Sequence, residues 1–197
     1  GPLPLTTAQN RYIVVATCSL TRFIIMAPLR VATAEKVAEF ILNKIILVYG
    51  IINEIQSDMG VHLINKVLGE LTSALGIPHK FGTVAHPEAQ AINERSHASI
   101  NVKLRSMTDQ KKKNWDTFLP FISFAMNNAE NKTTGYTPFE LVYGFRARMT
   151  TDILIHHPQQ DMTKHAKEGL QLIRELAVNN ILQNVMRYAE HNDAKRK

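Results

Sequence analysis

Apolar residues recur along this chain with two periods, and the alternation between them predicts the elements. The runs Arg11–Thr17 and Arg22–Leu29 are rich in β-branched and aromatic residues and are separated by a few polar positions. They predict a hairpin. Thr33 is placed to cap a helix whose apolar positions 37, 40, 41, 45 and 48 follow helical spacing up to Gly50. A short apolar run, 51–56, predicts a buried strand, and positions 63, 64, 67, 68, 71 and 75 form a second helical stripe. Gly76 stops that helix and Pro78 prevents its resumption. A further short run leads to Pro87, after which a helix extends through Ile92, Ile100, Leu104 and Met107. The order strand, strand, helix, strand, helix predicts a mixed sheet with helices packed against it.

The second half reads as helical. Asn114–Glu130 carries Trp115, Phe118, Leu119, Ile122, Phe124 and Met126, a spacing expected of a core face or a subunit contact rather than a base-stacking platform. In Thr133–Gly144, Gly135 makes a turn, Thr137 caps, Pro138 occupies the first helical position and Gly144 terminates a single short helix. Residues 151–160 predict a linker. From Met162 to His191 an amphipathic pattern has apolar residues at 166, 170, 173, 176, 177, 181, 185 and 188, and must bury that stripe against the core or a partner.

Composition narrows the class. An apolar share of 45% and a charged share of 20% are those of an ordinary globular protein. No uncharged stretch reaches the length of a membrane span, and the start shows neither an initiator Met nor a signal-peptide pattern, as expected of an excised domain. A single cysteine, Cys18, excludes an internal disulfide framework. The eight histidines show no metal-ligand spacing. The net charge of +6 favours an anionic partner. Between Arg95 and Lys113 six basic residues (Arg95, Lys103, Arg105, Lys111, Lys112, Lys113) face one acid, Asp109, a candidate phosphate-contacting strip.

The candidate chemistry lies between Ser57 and Arg95. Asp58 ends the predicted strand, where ligands bind in a helix-covered sheet, and Glu94 sits early on the helix after Pro87. Thirty-five residues separate the two acids. With Ser57-Asp58-Met59-Gly60, His86-Pro87 and Glu94-Arg95 around them, this stretch resembles the D…D-35-E integrase catalytic core of long-terminal-repeat retrotransposons of the Ty3/gypsy type and of retroviruses. Thr133–Gly144 resembles the T-G-x-[ST]-P-F-E-L-x-x-G segment of the same family, and Gly1-Pro2-Leu3-Pro4 the end of its first strand motif, so the likeness spans residues 1–150.

The resemblance implies an α/β, RNase H-like mixed sheet flanked by helices, followed by a C-terminal helical extension over 161–197 that leads towards a further module. It implies two Mg²⁺ or Mn²⁺ ions held by Asp58 and Glu94, with a third carboxylate expected ahead of Gly1, since Asp58 is the first aspartate in the chain. Hard divalent cations suit carboxylate oxygens, and a pair of them can clamp the attacking and leaving oxygens of phosphoryl transfer. The implied activity is DNA 3′-end processing and strand transfer by a homo-oligomer, in the nucleus after a cytoplasmic pre-integration stage. Some positions depart from the pattern. Met59 and His62 replace polar and acidic residues, Leu63 an aromatic, and Gln90-Ala91 the frequent Asn-Gly. Loss of that glycine stiffens or reshapes the loop. Ala98 and Asn101 stand where retroviral relatives carry lysines. The alternative is an inactive or host-adopted integrase relic that binds without catalysing.

Overall fold

In the computed structural model, residues 2–57, 62–81, 87–108, 113–149 and 166–194 are described. The chain forms two compact units, one of Gly1–Thr17 with Ile25–Ser123, the other of Cys18–Ile24 with Phe124–Lys197.

The first unit is mixed α/β. Strands β1 (Tyr12–Thr17) and β2 (Ile24–Leu29) form the predicted hairpin. Arg11 N–H donates to the Leu29 carbonyl at one end and Cys18 N–H to the Phe23 carbonyl at the other, so the strands run antiparallel. The helix that follows is not one continuous α-helix. It runs as α1 (Ala34–Ile41), a π-helical segment over Leu42–Ile46, and α2 (Leu47–Tyr49). The wider turn shifts the apolar stripe: Phe40, Ile41 and Ile46 are buried, whereas Val48, expected in the core, is exposed together with Leu47. Thr33 occupies the N-cap position but its hydroxyl accepts no capping bond.

Strand β3 is shorter than the predicted 51–56 run. It covers only Ile55–Ser57, and Ile51 is exposed. It pairs in parallel with β4 (His79–Phe81) in the register Ile55↔His79, Gln56↔Lys80, Ser57↔Phe81. Between them lies α3 (His62–Ala74), which packs on α1. The expected single mixed sheet is not seen among the described residues, where β1–β2 and β3–β4 are separate two-stranded sheets. One core nevertheless takes residues from both: Phe40, Ile41, Ile46, Leu68 and Ile77 are its centre, with Val14, Ala16, Ile25, Ala27, Ile55 and Leu71 packed around them. Small strand pairs are marginal alone, so this shared apolar core is what holds them.

Helix α4 (Pro87–Met107) packs against β1 and buries Ile100 and Leu104, while Met107, expected on the same stripe, is exposed. Helix α5 (Trp115–Asn128) buries Trp115, Leu119 and Ile122; Phe124 is exposed beside Phe121 rather than in the core. The N-terminal segment is tied to the start of α5. Trp115 Nε1 donates to the Pro4 carbonyl at 2.7 Å, and the Thr6 hydroxyl and Asn10 Nδ2 both donate to Asp116 Oδ2 at 2.7 Å.

In the second unit, Thr137 and Glu140 form a reciprocal capping box on α6 (Pro138–Tyr143), with Pro138 in the first turn and Gly144 in the left-handed conformation at its end. The long helix α7 (Ala166–Ala194) packs on α6. Arg174 caps the exit of α6, donating to the Leu141 carbonyl (2.8 Å) and the Val142 carbonyl (3.2 Å), and Asn180 Nδ2 donates to the Thr134 carbonyl at 2.8 Å. Ala177 is fully buried at this contact, but Leu176, Val185 and Tyr188 of the predicted stripe are exposed. Polar side chains, not the apolar stripe alone, seat the helix. The expected 151–160 linker lies outside the described residues.

Candidate active site

Strand β3 is extended because Ile55, Gln56 and Ser57 pair with β4 and Ile55 packs into the core. It therefore delivers the chain, through Ser57, to Asp58. Helix α4 begins at Pro87, whose fixed φ suits a first helical turn and whose missing N–H costs nothing there. Glu94 lies on this helix, two turns in. Of the two acids, the structure thus describes only the backbone of Glu94, on α4. Asp58 itself and the side chain of Glu94 lie outside the described residues. Among the described residues no cluster of three or more His, Cys, Asp or Glu is arranged to hold a metal ion.

The end of β3 carries a polar contact that sequence reasoning missed. Ser57 Oγ lies 3.0 Å from His79 Nε2 on β4. Ser57 and His79 are diagonal neighbours on one face of the ladder, and on its other face Lys80 Nζ pairs with Glu54 Oε2 at 2.6 Å. Burial holds the His79 imidazole below its usual pKa, which favours the neutral ring. No spacing rule could have found this contact, because it depends on the register of two three-residue strands. His97 is exposed and His86 lies outside the described residues.

Of the six basic residues of the expected strip, Arg95, Lys103, Arg105 and Lys113 are described. With about 100° per residue, Arg95 lies opposite the buried Ile100 and Leu104 face of α4, with Lys103 and Arg105 on either side of it. They spread as a fan over the outer side of the helix. Arg95, Arg105 and Lys113 are exposed and Lys103 half-buried. Lys111 and Lys112 lie outside the described residues. Among the described residues, no helix is long and apolar enough to cross a membrane.

No family model matches the chain. Similar proteins are nevertheless clear. Over 172 residues, 86% of the chain, it is 32% identical to the Retrovirus-related Pol polyprotein from transposon 412 of Drosophila melanogaster, of which it covers 14%. Over 153 residues, 75% of the chain, it is 31% identical to the Gag-Pol polyprotein of feline leukemia virus, covering 9% of it. A third match, 26% identical over 144 residues, is the Pro-Pol polyprotein of simian foamy virus type 1, of which it covers 12%. The chain thus spans at most 14% of the length of these curated relatives. In sequence it is a homologue of the Pol polyproteins of retrotransposons and retroviruses, matching one segment of each.

Proposed function

We propose that this segment is the catalytic core of a retrotransposon integrase with an RNase H-like fold, acting on DNA ends in metal-dependent 3′-end processing and strand transfer. The observation that carries the reading is the pair Asp58 and Glu94, with thirty-five residues between them, one following Ser57 of β3 in sequence and the other on α4, within a match to Pol polyproteins. Their carboxylates are hard oxygen donors and suit Mg²⁺ or Mn²⁺, two of which would be held together with a carboxylate ahead of Gly1. Bound there, such ions supply activation of water or a 3′-hydroxyl and stabilise charge at the leaving oxygen. The chain's own part is positioning. The β3–β4 ladder fixes the exit of the strand, and α4 is anchored on the core through Ile100 and Leu104. The cations Arg95, Lys103, Arg105, Lys111, Lys112 and Lys113 fit a sequence-independent grip on the DNA backbone. We place the activity in the nucleus, with a cytoplasmic pre-integration complex before it, and in a homo-oligomer.

The test is strand transfer by a chain extended upstream of Gly1, with Mg²⁺ and with Mn²⁺. Glu94→Gln and Asp58→Asn are each expected to abolish transfer while circular dichroism stays unchanged, because each exchange keeps the size and shape of the side chain. Transfer surviving either change ends the proposal. A second reading, the inactive or host-adopted relic, draws on Gln90-Ala91 and Met59 in place of the usual loop residues. It predicts DNA binding without transfer with either ion.

A further inference from the structure

We propose that His79 is a positioning residue for the metal-binding end of β3, acting through the hydroxyl of Ser57. This deepens the integrase reading and rests on it. Three observations carry it. Ser57 is the last residue of β3 and directly precedes Asp58. Its Oγ lies 3.0 Å from His79 Nε2, a contact fixed by the parallel register that sets Ile55 opposite His79 and Ser57 opposite Phe81. Both side chains are half-buried and the strands are three residues long, so the backbone ladder alone offers few hydrogen bonds to hold the strand end.

The other side-chain link across the ladder, Glu54 to Lys80, is solvent-exposed on both sides and contributes little. The Ser57–His79 bond is the shielded one. A neutral imidazole can either accept from the serine hydroxyl or donate to it, so the bond survives either tautomer. A carboxylate ligand needs its backbone held to within a fraction of an ångström, and partners behind ligands commonly change metal affinity by about 10–100-fold when removed. In this proposal His79 acts only through Ser57. Its part is to fix Ser57, which directly precedes Asp58 in the chain.

The experiment measures Mn²⁺ binding, by the loss of the free ion's paramagnetic resonance signal, on the extended chain used for strand transfer. Asp58→Asn tests the underlying reading and is expected to abolish binding. Ser57→Ala and His79→Leu are expected to weaken binding at least about tenfold, and the double variant to be no weaker than either single one, since both remove the same bond. His79→Gln and Ser57→Thr, which keep a hydrogen-bonding group, are expected to recover most of the affinity. These two also guard against variants that fail to fold, as does matching thermal unfolding. Unchanged Mn²⁺ affinity in Ser57→Ala and His79→Leu, with Asp58→Asn still abolishing binding, overturns the role of His79 and leaves the integrase reading standing. Failure of the rescuing variants in folded protein overturns it as well. Binding that persists in Asp58→Asn overturns both.

Discussion

The carboxamide of Asn127 grips the main chain of Ile24 at two points. Its Oδ1 accepts from the Ile24 N–H and its Nδ2 donates to the Ile24 carbonyl, each at 2.8 Å, and Asn127 is buried. A side chain on α5 thus stands in for a strand neighbour at the start of β2. Asn127→Ala strands two buried backbone groups, each worth about 1–3 kcal/mol when left unmade, and is expected to destabilise the chain by about 2–4 kcal/mol. Asn127→Asp keeps only the acceptor and buries a charge, so it is expected to be at least as harmful at neutral pH. Urea unfolding decides this; a midpoint within error of the parent's would show that water replaces the amide.

Arg174 makes a comparable contact at the exit of α6, with Nε on the Leu141 carbonyl and a terminal nitrogen on that of Val142. Arg174→Ala is expected to destabilise the chain by about 1.5–3 kcal/mol, the range for hydrogen bonds to a charged group. Lysine cannot reproduce a two-point planar contact, so Arg174→Lys should recover less than half. Full recovery by lysine would reduce the contact to simple charge at a helix C-terminus.

Gly135 has φ +75°, and a Cβ built on it would meet Asn180 Nδ2 at 3.0 Å. Gly135→Ala is therefore penalised twice: about 1–2 kcal/mol for the left-handed backbone, and a displacement of the Asn180–Thr134 bond. In an Asn180→Ala background only the backbone part should remain. Strict additivity in that double-mutant cycle would rule out the steric part.

The Glu140 carboxyl titrates below its ordinary value of 4.5. Burial pushes it up, but the hydrogen bond from Arg146, those from the Thr137 N–H and hydroxyl, and the Arg146 charge together outweigh it. A depressed folded pKa means stability that is present above about pH 4.5 and lost as pH falls through the lower folded value. Arg146 is itself 79% exposed, so its pair contributes about 0–1 kcal/mol at most. Arg146→Ala and Thr137→Ala should each raise the Glu140 carboxyl titration seen by NMR, and the Thr137 change should also cost about 1 kcal/mol as a lost cap. A titration that stays in place in both would refute this account.

The proposed DNA contacts give a different readout. Replacing Lys111, Lys112 and Lys113 by Ala should flatten the logarithmic salt dependence of non-specific DNA binding by up to about 2–3, one phosphate contact being worth about 0.9. A slope that does not change would return these lysines to ordinary solvent contact.

The sequence by itself determined the local grammar of this protein. Hairpin, glycine stop and the Thr137–Gly144 turn of helix follow from side-chain chemistry acting over a few residues, which is why they could be read without any partner. It also carried the two acids, because a fixed spacing needs no coordinates. What only the tertiary structure decided depends on groups far apart in the chain. Around the π-helical segment, Phe40, Ile41 and Ile46 pack together on one core while Val48 is exposed. The register that brings Ser57 to His79, the amide of Asn127 on Ile24 and the guanidinium of Arg174 on Leu141 are hydrogen bonds across 22, 103 and 33 positions. Periodicity reports which face of an element is apolar; it is silent on which distant backbone group a polar side chain will find, since that choice is made only when burial removes the competing water.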